Sequence, residues 1–383
     1  MMYLRLLLVA ILLTGCGLIS EDKSKKVISP LPSLEHKDVT LIKQWSVSIG
    51  NIGINENRLK LDSFIHGNNL FATSADGRIY AINKTTGDVL WKRDIGVGVS
   101  SAVAADEEMV VVSDENAMLH ALNSANGVDL WEAQSTSEVL SNAAFSRDAV
   151  VVQSVDSKLQ SFDRFTGAKK WTYSASQPAL TLRGNASPVI DENAVIAAFD
   201  NGKIVAIDVA TGILKWEERF IIPDGRSELE RVVDVQEDPV VSGAHVYVGA
   251  YQGSVAALSV VTGDVLWDKK ASVLYSMVED SGYLYFIDGK DVVKSVYTAD
   301  GSVAWENKNF ENRHISSPVV VDGYVVFGDE EGYLHVLSAD NGKYVGQYHL
   351  GSGGISLGVM ADESSIYVLS NSGTQFAFKI LKN

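Results

Sequence analysis

The seven tryptophans of this chain, Trp45, Trp91, Trp131, Trp171, Trp216, Trp267 and Trp305, recur at separations of 38 to 51 residues. Six of them follow a glycine four positions upstream, at Gly87, Gly127, Gly167, Gly212, Gly263 and Gly301. A seventh glycine, Gly342, continues the frame with Gly346 in the tryptophan slot. A period of this length marks a repeat array, in which each unit is one supersecondary element that buries its apolar faces only against its neighbours. No other feature of the chain restricts the fold as strongly.

One repeat displays the grammar. Residues 100–106, 109–113, 119–123 and 128–131 are short runs of apolar and β-branched residues, separated by Asp, Glu, Asn and Gly. None of them has a helical period, so the unit reads as a four-stranded antiparallel meander. The third strand carries its own marker, usually Gly-x-x-x-Ala. It recurs at Gly77/Ala81, Ala117/Ala121, Ser157/Ser161, Gly202/Ala206, Gly253/Ala257, Asp291/Ser295, Gly332/Val336 and Gly373/Ala377. Eight third strands predict an all-β, eight-bladed β-propeller of four-stranded antiparallel blades. The glycine before each tryptophan fits a turn that needs positive φ. The tryptophan itself is expected to dock across the neighbouring blade.

The two ends of the array predict how it closes. Trp45 lies in a fourth-strand pattern with no glycine turn before it, and residues 373–379 form a third strand with no fourth strand after it. The N-terminal strand is therefore expected to complete the last blade and leave no large open edge. On this reading residues 38–383 are a single propeller domain.

Composition narrows the function. The formal charge of −16 opposes binding to a phosphate backbone, so nucleic acid is not an expected partner. The seven histidines form no close-spaced ligand pair, and the lone cysteine cannot complete a zinc set. His120 and His335 fall in third strands and read as structural. The acidic clusters 106–108, 329–331 and 362–363 read as solvated turns. No nucleophile elbow, phosphate loop or dinucleotide fingerprint is present, so no catalytic residue, metal or cofactor is predicted.

Residues 1–15 read as a secretory signal: Arg5, then an apolar run from Leu6 to Leu13 that is too short to span a bilayer. The run ends in Leu13-Thr14-Gly15-Cys16, which resembles the lipobox of bacterial lipoproteins, with Cys16 as the acylated residue. More than one acyl chain is needed for stable anchoring. Gly17 stands where aspartate signals inner-membrane retention in many such proteins, so the resemblance implies an outer-membrane anchor facing the periplasm. Residues 16–37 are then the lipidated cysteine and a polar, proline-containing flexible tether.

The repeat Ala/Asp-x-x-Thr-Gly-x-x-x-Trp resembles the blades of pyrroloquinoline quinone (PQQ) dehydrogenases, which makes a quinoprotein one alternative. Those enzymes are much longer, and many carry a vicinal cysteine pair that this chain cannot make. Lipobox, tether and eight such blades together resemble the BamB family of propeller lipoproteins in the outer-membrane β-barrel assembly (BAM) machinery. That resemblance implies a non-enzymatic scaffold that binds the periplasmic POTRA domains of BamA, and through BamA the other subunits. Leu180-Thr181-Leu182-Arg183-Gly184 matches a Leu-x-Leu-Arg-Gly signature on the family's BamA-docking surface. Residues 231–236 match a second segment, in which Asp234 fits the pattern and Gln236 stands where an acidic residue is usual. The residues support grouping the two segments, since each follows a fourth-strand tryptophan, Trp171 or Trp216, and so lies on one rim of adjacent blades. Residues 220–236 are also the longest insertion, and long connections on rigid scaffolds are frequent binding elements. Exposed fourth-strand edges offer a further partner, extended outer-membrane client chains held by backbone pairing. A periplasmic adaptor with another partner is the remaining alternative.

Overall fold

The structure, a computed structural model, describes residues 28–53, 60–177, 186–221, 235, 237–273, 275–351 and 353–383. Every regular element among them is a strand. The strands form eight separate four-stranded antiparallel sheets, the blades of an eight-bladed propeller. In blade 1 the strands Phe64–His66, Asn69–Thr73, Arg78–Asn83 and Val89–Asp94 pair in chain order from axis to perimeter. The next six blades repeat that order.

Blade 8 is built from both ends of the array. Val359–Asp362, Ser365–Leu369 and Thr374–Lys382 are its inner three strands, and Val39–Ser48 is its outer one. Val39 pairs with Lys382 and Ser48 with Thr374. The expected closure of the ring is thus present.

The core lies between blades. The second and third strands are buried on both faces, as in Met109–Ser113, whereas outer strands such as Val89–Asp94 are mostly exposed. Buried apolar side chains form eight clusters, each joining one blade to the next. The cluster between blades 8 and 1 contains Trp45, Leu70, Ile82 and Tyr367.

The tryptophan frame has a specific geometry. Each third-to-fourth strand pairing slips by one residue just before the tryptophan, or before Gly346 in blade 7, leaving the preceding residue unpaired, as Leu90 is between Val89 and Trp91. The same bulge recurs in the other seven blades. A bulge re-aims the next side chain, here toward the following blade. There the indole lies on the glycine turn: a Cβ on Gly127 would stand 2.7 Å from Cε3 of Trp91, and Gly127 has φ of 70°. A side chain at that turn is therefore excluded twice, by contact and by backbone conformation. Each indole N–H also donates to a main-chain carbonyl of that next blade, at 2.7 to 3.1 Å in all seven cases.

The small residues of the third-strand marker sit directly opposite the tryptophans, as in Ala81↔Trp91 and Ala377↔Trp45. Blade 7 inverts the sizes, with Val336 opposite Gly346. The reason is the ring closure. Blade 8 has no turn between its third and fourth strands, so an indole at position 346 would have no glycine to cover. Val39 fills the space instead, its Cγ2 lying 2.6 Å from where a Cβ of Gly346 would be, while the N–H of Asp38 donates to the carbonyl of Val345 at 3.0 Å.

His120 and His335 are structural, as expected. His120 Nε2 lies 3.1 Å from Asp114, and His335 bridges Asp329 and Tyr344 at 3.0 and 2.9 Å. The reading of residues 329–331 as solvated is corrected at Asp329, which is fully buried beside the equally buried Arg313. Burial alone would raise the Asp329 carboxyl, but hydrogen bonds from His335, Tyr333 and Arg313 hold it below the usual range. Burial likewise pushes His335 down against the pull of Asp329. Arg313 further donates to the carbonyl of Ser29, so residues 28–37, which have no regular structure, start from a point fixed on blade 7.

Candidate functional site

Strands alternate in direction, so the connection leaving each outer strand lies on the same face as the turn between second and third strands. Hydrogen bonds tie the two together: Ala175 N–H donates to Ser157 O at 2.9 Å, and Leu350 N–H donates to Gly332 O at 2.9 Å. The described ends of the two connections that follow Trp171 and Trp216 lie on this face.

The proposed contact residues Leu180, Leu182, Arg183, Asp234 and Gln236 lie outside the described residues, as does Cys16. The ends of both connections are described, and they are firmly seated. Ile221 packs between blades 4 and 5, where a Cβ on Gly202 would stand 2.7 Å from its carbonyl oxygen. Phe220, Ile221, Val235 and Ala186 all enter the cluster that joins those blades. The N–H of Ser187, at the end of the first connection, donates to Asp238 at the end of the second. Both segments are therefore pinned at neighbouring points of one rim.

The same residues border a feature that the sequence did not reveal. The inner strands of successive blades pack side by side around the axis, and the residues that lead into them line a cavity of about 80 Å³. Blade 1 contributes Lys60 and Asp62, blade 3 Ser141 and Asn142, and blade 5 Glu237 and Asp238. Side chains reach from one blade to main-chain donors of another. Asn142 N–H donates to Ser187 Oγ at 3.1 Å, Ser276 N–H to Ser317 Oγ at 3.1 Å, and Gly358 N–H to Asp62 Oδ1 at 2.9 Å. These bonds stitch the inner edges of the blades into a belt.

Among the described residues, the cavity lining carries more acidic than basic side chains. Lys60 Nζ stands 3.6 Å from Glu237 Oε1, and Ser276 Oγ donates to Glu237 Oε2 at 2.9 Å. Burial pushes Glu237 up to about 7 against the pull of Lys60. Burial raises Asp62 and Asp238 too, opposed by Lys60 and by the hydrogen bonds each accepts, while Glu237 raises Lys60. The carboxylates are thus less stable ionised here than in water.

Comparison with known proteins places this architecture. The family described as outer membrane protein assembly factor BamB matches residues 75–307. The outer membrane protein assembly factor BamB of Pseudomonas aeruginosa is 46% identical over 376 residues, covering 98% of each chain. Among solved structures, BamB from Moraxella catarrhalis superposes with a TM-score of 0.81 at 21% identity, over 89% of this chain and 100% of that one. The quinohemoprotein alcohol dehydrogenase of Comamonas testosteroni shares the propeller, with a TM-score of 0.70 at 14% identity, over 90% of this chain and 76% of the enzyme. At that identity the likeness to the dehydrogenase is one of fold alone. On its near-full-length sequence similarity and its repeat, the chain belongs to the family of outer membrane protein assembly factor BamB.

Proposed function

We propose that this propeller is a non-enzymatic scaffold, anchored at the periplasmic side of the outer membrane through acylated Cys16. It docks the POTRA domains of BamA and, through BamA, works with the other subunits in folding and inserting β-barrel proteins. The observation that carries this reading is the similarity, over 98% of both chains, to a protein named as an outer membrane protein assembly factor.

Docking runs through Leu180, Leu182, Arg183 and Asp234, with Gln236 alongside. The seating of both connections on one rim supports this grouping, because rigid supports hold binding segments in register at low entropic cost. Arg183 suits the role, since a guanidinium forms directed, paired hydrogen bonds with a carboxylate of a partner. The test is affinity purification from detergent-solubilised envelopes. Arg183→Glu is expected to remove BamA from the eluate while the purified variant keeps the melting curve of the parent. Retention of BamA by a folded variant would falsify the assignment.

A further inference from the structure

We propose that the axial cavity is a receptor for one organic cationic group, a primary ammonium or a guanidinium, held among Asp62, Ser141, Glu237 and Asp238. The argument begins with charge. Among the described residues, three carboxylates line the cavity with a single ammonium, that of Lys60, whose side chain is 52% exposed. One half-solvated cation does not neutralise three carboxylates, of which Glu237 is buried and Asp62 and Asp238 are half-buried.

Two buried polar atoms also lack partners. Ser141 is only 5% exposed, and its Oγ makes no hydrogen bond. Glu237 is 3% exposed, and its Oε1 accepts none, Lys60 lying beyond hydrogen-bond reach at 3.6 Å. Leaving such groups unpaired is costly, and both residues line the one cavity, the carboxylate oxygen able only to accept and the hydroxyl able to accept or donate. A ligand that satisfies the Glu237 carboxylate must donate an N–H or O–H bond, one that the Ser141 hydroxyl can also accept, and the surplus of carboxylates among the described residues selects a cation.

Size and lining agree. A volume of about 80 Å³ accommodates an ammonium or guanidinium head with its last methylenes, and Ala102, Leu140 and Leu357 give those methylenes an apolar wall. Among the described residues, no group of three or more His, Cys, Asp or Glu side chains is arranged to hold a metal ion. Lys60 already presents the same chemistry from within the chain, so it competes with an incoming cation for Glu237.

Titration calorimetry on the full mature chain near neutral pH tests this with n-butylammonium and n-butylguanidinium. Saturable binding at one site is expected, weakened roughly tenfold by Glu237→Gln and strengthened by Lys60→Ala, which removes the internal competitor. Tetramethylammonium, which has no N–H, is expected not to bind. Asp238→Asn serves in place of Glu237→Gln if circular dichroism shows that variant to be unfolded. The source of the group is read with a capped Gly-Lys-Gly peptide. Binding at least as tight as that of the free amine assigns the group to a polypeptide side chain, and binding of the amine alone assigns it to a free small molecule. Equal affinity in the parent and in a folded carboxamide variant, tetramethylammonium binding as tightly as the amines, or calcium displacing them would each overturn the proposal.

Discussion

Glu237 shows how a residue can serve the ring and strain it at once. Its Oε2 joins the belt through Ser276, while burial pushes its carboxyl up to about 7. A carboxyl whose folded-state value is raised binds its proton more tightly folded than unfolded. Stability from this group is therefore fully present below the ordinary glutamate value and is lost as pH rises from there through about 7. Glu237→Gln is expected to remove that loss, so the variant gains on the parent between about pH 5 and pH 8, by on the order of 1–3 kcal/mol. Urea midpoints at the two pH values measure it, and a difference that does not change with pH counts against the account. Asp62 and Asp238 remain in both proteins, so the comparison isolates one group.

At the scale of the element, the fourth strand does more than complete a sheet. Its bulge, its tryptophan and the glycine turn of the next blade form one joint, repeated seven times around the ring. Trp131 is typical: 8% exposed, seated on Gly167, and donating to the carbonyl of Arg164 at 2.7 Å. Trp131→Ala opens a cavity between blades 2 and 3 and leaves that carbonyl without its partner. A loss of about 3–5 kcal/mol is expected in equilibrium denaturation, and a loss under about 1 kcal/mol would show that neighbouring side chains collapse into the space. The connections obey a different rule. Their ends are set by apolar anchors such as Ile221 and Val235, while the residues between carry the proposed binding chemistry.

For the whole molecule the decisive event is closure. Deleting residues 38–48 leaves the edge of Thr374–Lys382 unpaired and uncovers the space beside Gly346. Such an edge recruits strands from other chains. Size-exclusion chromatography of the truncated protein is expected to show concentration-dependent oligomers with an earlier melting transition. A monomer that melts like the parent would mean that closure contributes little. The blade count, the docking of each tryptophan on the next turn and the origin of the last strand were legible in the sequence, because each rests on a local pattern that repeats every blade. Asp329 was misread because its turn resembles the solvated ones, and the buried Arg313 that claims it sits sixteen residues away on another connection. Asp62 and Asp238 stand 29 residues before Trp91 and Trp267, and Ser141 and Glu237 stand 30 before Trp171 and Trp267, yet the residue types at those positions differ from blade to blade and mark no site. The chain alone determined a closed ring of eight blades, since periodicity is a property of neighbours in sequence. Only the tertiary structure decided that those five residues meet on the axis, since closing the ring brings the starts of distant inner strands to one place.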